Sequence, residues 1–156
     1  MDLLIRETEL SPEVMDLLIR FSVDWELENS CYGYRRNEPA DIEGNRIFLA
    51  YDGEQPVGYL FGHIEASKNS TSIMPEGTLC FEVEELYVVP DHRSRGVGQQ
   101  LFHFVEQLVT GEAEYVMVST ATKNWRKILH FYLEELNMDF WSARLFKKTG
   151  KAAEEP

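Results

Sequence analysis

Apolar and polar positions change period along this chain, and the changes mark out its elements. Leu3 to Glu7 reads as a short strand. Ser11-Pro12-Glu13 then forms a helix start: a capping serine, a proline in the first turn and an acid near the positive helix end. Met15, Leu18 and Phe21 follow on one helical face. Residues 29–45 hold Cys31, Tyr32, Gly33, Tyr34, two arginines and Pro39, and read as a loop or short helix. Arg46–Tyr51 and Pro56–Ala66 are apolar, β-favouring runs joined by a turn with Asp-Gly, which predicts a hairpin. Residues 67–78 are a polar loop, and Cys80–Val89 is a further strand. Over Gly98–Thr110 the period becomes helical, with apolar residues at 101, 102, 104, 105, 108 and 109. Glu114–Thr120 is a strand. Trp125, Ile128, Leu129, Tyr132 and Leu136 trace a last helix, and Met138–Lys147 closes as one or two strands. The order β-α-ββ-β-α-β-α-β predicts a single mixed α/β domain over residues 1–148, with residues 149–156 as a fraying tail.

Two irregularities carry the chemistry. In Cys80–Val89 the apolar positions are 81 and 83, then 86 and 88, so the alternation slips at Glu84-Glu85. A slip of this kind predicts a β-bulge, which leaves backbone groups unpaired. Directly after it come Pro90-Asp91 and then Gly96 and Gly98, opening a helix. Free N–H groups at a helix N-terminus form an anion site, and bare glycine lets a phosphate approach the backbone. Arg93 and Arg95 add charge-assisted donors. The P-loop pattern is excluded, because Gly150-Lys151 is followed by Ala152. The dinucleotide fingerprint is excluded as well, because its third glycine falls on Leu101.

Arg93-Ser94-Arg95-Gly96-Val97-Gly98 resembles the central motif of the GNAT superfamily of N-acetyltransferases: Gln or Arg, two residues, Gly, one residue, then Gly or Ala. The approach Leu86-Tyr87-Val88-Val89-Pro90-Asp91-His92-Arg93 fits the family's pattern too, and the element order matches over roughly residues 3–147. The resemblance implies an α/β (α+β) fold with helices on both faces of a mixed, mostly antiparallel sheet of about 6–7 strands, bulged near 84–88. It implies acetyl-CoA as co-substrate and no metal. Arg93, Ser94, Arg95, Gly96, Val97, Gly98 and Gln99 would hold the pyrophosphate. The backbone of Leu86, Tyr87 and Val88 would pair with the pantetheine arm, one N–H polarising the thioester carbonyl.

For the proton transfers, Glu82 precedes Arg93 by the spacing of the general base in histone-acetylating relatives. Glu85, or water alone, is the alternative base, and Glu84 and Glu85 could instead bind a cationic acceptor. Tyr132 is the expected acid and Asn124 a pantetheine contact. Asn124 and Tyr132 lie 8 residues apart where relatives usually have 7, and Lys127 replaces an alanine. One residue of offset turns a helical position by about 100°. Asn137 stands at the glycine-like cap position and can adopt its left-handed conformation. Apart from these roles, Tyr132 reads as a core tyrosine and Asn124 as a helix cap.

Charge bears on the acceptor. Net charge is −12, and residues 1–78 hold 6 Lys and Arg against 15 Asp and Glu. Such a field repels nucleic acid and favours cations, so the acceptor reads as a cationic small amine. The alternatives are a protein or peptide acceptor gripped by Tyr32, Tyr34 and the 67–78 loop, and a CoA-binding module without turnover. Cys31 and Cys80 lack metal or redox spacing, and His63, His92, His103 and His130 show no ligand motif. The charged opening segment and the absence of a long apolar run suggest a cytoplasmic protein without a membrane partner. A monomer and a homodimer both remain open.

Overall fold

The computed structural model describes residues 1–150; residues 151–156, most of the expected tail, lie outside the described residues. Strands β1 (Leu3–Thr8), β2 (Arg46–Asp52), β3 (Gln55–Ala66), β4 (Leu79–Val88) and β5 (Tyr115–Val118) form one sheet in sequential order. All neighbours are antiparallel except β4 and β5, which run parallel. Helix α1 (Pro12–Glu28) starts as expected: the Ser11 hydroxyl accepts from the Val14 N–H, with Pro12 in the first turn. It ends at Asn29 in the left-handed conformation. The 29–45 stretch is loop with one short helix, α2 (Pro39–Ile42). Helix α3 is Val97–Val109, and α4 (Trp125–Leu129) continues into a π-helical turn, His130–Glu135.

The sheet is buried on both faces, which explains the unbroken apolar runs of β2 and β3. On one face Phe48, Ala50, Leu60, Phe81 and Val83 pack against Val97, Leu101, Phe102, Val105 and Val109 of α3. On the other, Ile47, Leu49, Tyr59, Phe61 and Tyr87 meet Leu18 and Phe21 of α1 and Ile42 of α2. Burying such side chains contributes about 1.5–3 kcal/mol each before chain entropy is counted.

The expected bulge is present. Phe61 pairs with Glu85 but the next residue, Gly62, pairs with Val83, so Glu84 is the extra residue. A Cβ on Gly62 would collide with the Glu82 carbonyl, so only glycine lets β3 follow the kink. Pairing of β4 with β5 covers Cys80–Val83 and stops there. Beyond the bulge, β4 has no β5 neighbour, and a cleft opens on that edge.

The strand count is lower than expected: five strands, not 6–7. The missing element is the Met138–Lys147 strand. That segment has no regular structure, and Leu145 and Phe146 are 90% and 80% exposed. Its β-favouring residues do not suffice, because a strand exists only when a partner supplies hydrogen bonds and a packing face.

Candidate active site

The cleft beside β4 has a volume of about 790 Å³. Its walls are the 84–88 stretch of β4, the loop and first turn of α3, the chain after β5, the helix from Asn124 to Glu135, and the end of α1. Of the cofactor residues expected from sequence, Leu86, Tyr87, Val88, Arg93, Ser94, Gly96, Val97, Gly98, Gln99 and Asn124 line it. Tyr132 joins them from the last helix. Arg95 does not: it is exposed and reaches back to the Asp91 carbonyl at 3.4 Å. Glu82 does not either. It lines a separate cavity of about 220 Å³ with Cys80, Met117 and Trp141.

The anion site takes shape in the loop before α3. Ser94 and Gly96 have left-handed φ values of 60° and 84°, with Gly96 as the helix N-cap. The N–H groups of Ser94 to Gln99 donate no hydrogen bond among the described residues. Left-handed residues in a turn that opens a helix can bring successive N–H groups into one concavity, the form of an anion nest. The two glycines do different work. Gly96 permits the left-handed cap. A Cβ on Gly98 would sit 3.3 Å from the Phe131 ring, so that glycine lets the last helix approach α3.

Arg93 is used differently from the sequence expectation. Its Nε donates to the Val88 carbonyl at 2.7 Å, and its Nη atoms donate to both Glu28 oxygens at 2.6 and 2.9 Å. Its guanidinium lies over the Tyr87 ring, and the Tyr87 hydroxyl also donates to Glu28. The motif arginine thus ties the end of α1 to β4 at the wall of the cleft. Burial pushes the Glu28 carboxyl up, but the hydrogen bonds from Arg93 and Tyr87 outweigh it and hold Glu28 below the usual range.

The last helix resolves the spacing anomaly. Between Asn124 and Tyr132 there is one residue more than the usual pattern, and the chain takes it up in the π turn, where the Leu136 N–H reaches back five residues to Phe131. A π turn accommodates one additional residue without breaking the helix. Asn124 and Tyr132 therefore face the same cavity. Asn137 closes the helix with φ 55°, as its position suggested. Asn124 caps α4 through its carbonyl alone, so its amide is not engaged as a cap. The Tyr132 phenol accepts and donates no bond among the described residues, and burial, with Cys31 nearby, pushes it up to about 12.

Glu85, the alternative base in the sequence, sits in a dense hydrogen-bond network. The bulge turns it toward α1, where Tyr59 OH donates to Oε1 at 2.7 Å and Tyr34 OH at 3.2 Å. The Asn37 amide donates to both oxygens, at 3.0 and 2.9 Å. Ser22 completes the network, bonded to Tyr34 OH and to the Asn37 N–H at 2.7 Å each. Burial pushes the Glu85 carboxyl up, although its hydrogen bonds oppose the shift. Glu84, exposed at the bulge, and the stacked rings of Trp25 and Tyr34, 4.3 Å apart, border the same end of the cleft. The slip at Glu84-Glu85 was visible in the sequence. The partners of Glu85 were not, because they come from β3 and from the loop after α1, which Ser22 of α1 holds in place. Glu82 is also raised, by burial first and then by Glu65 and Glu84.

Comparison with known proteins agrees with this geometry. A transcriptional regulator from Bacillus halodurans C-125 shares the fold with TM-score 0.68 and 19% identity, over 94% of this chain and 99% of that one. An aminoglycoside acetyltransferase from an uncultured soil metagenomic sample, in complex with trehalose, superposes with TM-score 0.67 and 17% identity, over 95% and 97%. The aminoglycoside acetyltransferase AAC(6')-Iy, bound to the bisubstrate analogue CoA-S-monomethyl-acetylneamine, gives TM-score 0.65 and 16% identity, over 96% and 99%. Among curated proteins none matches the sequence. The sequence does match the acetyltransferase (GNAT) family over residues 12–138, most of the chain. The chain belongs to that family, and it is an acyltransferase.

Proposed function

We propose that this protein transfers acetyl from acetyl-CoA to a primary amine on a cationic small molecule, by direct attack in a ternary complex. The observation that carries the reading is that Ser94, Gly96, Val97, Gly98 and Gln99, whose N–H groups have no partner among the described residues, line the cavity that also holds Tyr132, Glu84 and Glu85. A doubly charged diphosphate suits such a row. The unpaired edge of Leu86–Val88 offers the pantetheine amides a strand to pair with.

On the acceptor side, Glu84 and the Trp25–Tyr34 stack attract and border an ammonium group. Glu85 is the base, directly or through one water. Its raised basicity suits removal of an ammonium proton near neutral pH, and Oε2, bonded only to Asn37, retains acceptor capacity toward the cavity. Glu82, in its separate cavity, is the competing candidate. Tyr132 keeps its proton at neutral pH and donates to the departing sulfur as the C–S bond breaks. Holding amine and thioester together supplies much of the remaining rate. A kinship of fold with aminoglycoside acetyltransferases supports a polyamine-like or aminosugar acceptor.

The deciding experiment is release of free thiol from acetyl-CoA across polyamines, aminoglycosides, amino acids and basic peptides. Turnover with cationic small amines, lost in Glu85→Gln and kept in Glu82→Gln, supports the reading. Turnover with peptides alone overturns the acceptor class, and the reverse pattern of the two variants moves the base to Glu82.

A further inference from the structure

The loop before α3 has few hydrogen bonds of its own. Its N–H groups have no partner among the described residues, and two of its residues sit in the left-handed region. Like-signed N–H dipoles pointing into one concavity also repel each other until an anion arrives. Something outside the loop must keep it open and aimed. Two side-chain clamps flank it. The Arg93–Glu28 pair holds it toward α1.

The second clamp is His92, on the turn just before the loop. Its residue is 7% exposed and belongs to the cleft wall. Nδ1 lies 3.0 Å from Asp91 Oδ1, and Nε2 lies 3.0 Å from Asp52 Oδ2. Asp52 ends β2, and its other oxygen accepts from the Asp2 N–H at 3.0 Å. The ring therefore joins the β2–β3 hairpin and the amino-terminal segment to the turn that launches the loop. A neutral imidazole has one N–H and one bare lone pair, so one of the two carboxylates would face lone pair against lone pair. Only the imidazolium satisfies both.

We propose that His92 is a positioning residue for the cofactor: clamped as an imidazolium between Asp52 and Asp91, it fixes the turn that aims the Ser94–Gln99 N–H groups at the pyrophosphate. This rests on the assignment of that loop to the pyrophosphate. The charged groups that face the ring are Asp52 from β2, Asp91 from its own turn and, opposing them, Arg95; the amino terminus lies near Asp52. Hydrogen bonds to Asp52 and then Asp91 outweigh Arg95 and raise the ring above the ordinary histidine value. The sign follows. The clamp is complete below the ordinary value and is lost as pH rises through the raised one. The Arg93–Glu28 clamp does not titrate in that window, because guanidinium stays charged and Glu28 is held low. Cofactor affinity should therefore have an alkaline limb that belongs to His92.

The test is calorimetric binding of desulfo-coenzyme A, which carries no titrating thiol, from about pH 6 to about pH 9. Wild type, His92→Asn and Asp52→Asn are compared, with pantetheine as the ligand lacking a diphosphate. Wild-type affinity for desulfo-coenzyme A should fall about tenfold across the alkaline limb, the loss expected for charge-assisted bonds. Asp52→Asn, a substitution at the end of a strand, should be weak already at neutral pH and have a flat profile. Pantetheine binding should respond to neither pH nor variant. Nitrogen NMR of the free protein should show both His92 ring nitrogens protonated at neutral pH. A pH-independent wild type, an Asp52→Asn variant with the wild-type profile, or a neutral His92 ring overturns the proposal. If desulfo-coenzyme A fails to bind wild type at any pH while the ring proves doubly protonated, it is the pyrophosphate assignment that fails, and the cofactor role of His92 falls with it.

Discussion

The loop around Gly96 and the wall around Glu85 face one cavity, yet they are built from different parts of the peptide. The loop offers backbone: six consecutive N–H groups, two left-handed residues, and side chains that mostly point elsewhere. The wall offers side chains: one carboxylate held by Tyr34 and Asn37 from the loop after α1 and by Tyr59 from β3. A backbone site is set by a short run of residues, because only glycine and a following helix are needed. A side-chain site depends on everything that packs behind it. The first suits a ligand part common to a whole family, and the second suits an acceptor that differs between members.

This contrast can be broken by substitution. Glu85→Gln should lower kcat/KM by about 10²–10⁴ while leaving the KM for acetyl-CoA in place. Steady-state kinetics with a cationic amine would measure both, and a rise in the acetyl-CoA KM instead would mean that the two walls are not separable. The same variant should leave the fold unharmed or more stable by up to about 1 kcal/mol at neutral pH, since an amide in that site carries no buried charge. A matching pH effect follows from the sign of the shift. The Glu85 carboxyl is raised in the folded state, so its contribution to stability is present at acid pH and is lost as pH rises through the raised value.

Tyr132→Phe should lower kcat by about 10²-fold, the usual cost of one transition-state donor. Calorimetry should find CoA binding intact. An unaltered kcat with a good acceptor would remove Tyr132 from the chemistry. Gly96→Val acts on the other wall. Forcing a β-branched residue to φ 84° costs roughly 1–3 kcal/mol, so CoA affinity should fall at least about fivefold if that strain is met in the binding-competent loop. If CoA binds that variant normally, the loop is not the anion site.

The smallest expected effect is on Glu28→Gln, which loosens the join between the walls. Half-buried ion pairs of this kind contribute about 1–2 kcal/mol once solvent screening is allowed for. The loss should appear as a lower unfolding temperature at neutral pH and fade on acidification. Glu28 is held low in the fold, so its contribution is present above the ordinary carboxylate range and lost as pH falls through its depressed value. An equal loss at all pH values would show that the packing of Tyr87, not the charge pair, was disturbed.

Much of the architecture was legible because its causes are local. Ser11 and Pro12 start α1, the Asp-Gly turn joins β2 and β3, and the slip at Glu84 marks the bulge; each depends on a few adjacent residues. Gly96 and the free N–H row were legible for the same reason. Three features were not. The Met138–Lys147 strand failed to form, since strand propensity says nothing about whether an edge is offered. The motif shows the position of Arg93 but not its ion pair with Glu28, which is 65 residues away. The spacing also does not show that Phe131, from a distant helix, packs against Gly98.

The sequence by itself determined the order of elements, the kinked strand and a family of reactions that begins with an anion at a helix start. Those are consequences of backbone conformation, which neighbouring residues control. Only the tertiary structure decided which carboxylates line the cleft, that Arg93 pairs with Glu28 and His92 with Asp52 and Asp91, and that Tyr132 lines the cleft with Asn124 beside a π turn. The reason is physical. Proton affinity, ion pairing and helix phase depend on burial and on partners brought from elsewhere in the chain, and spacing in the sequence does not encode those distances.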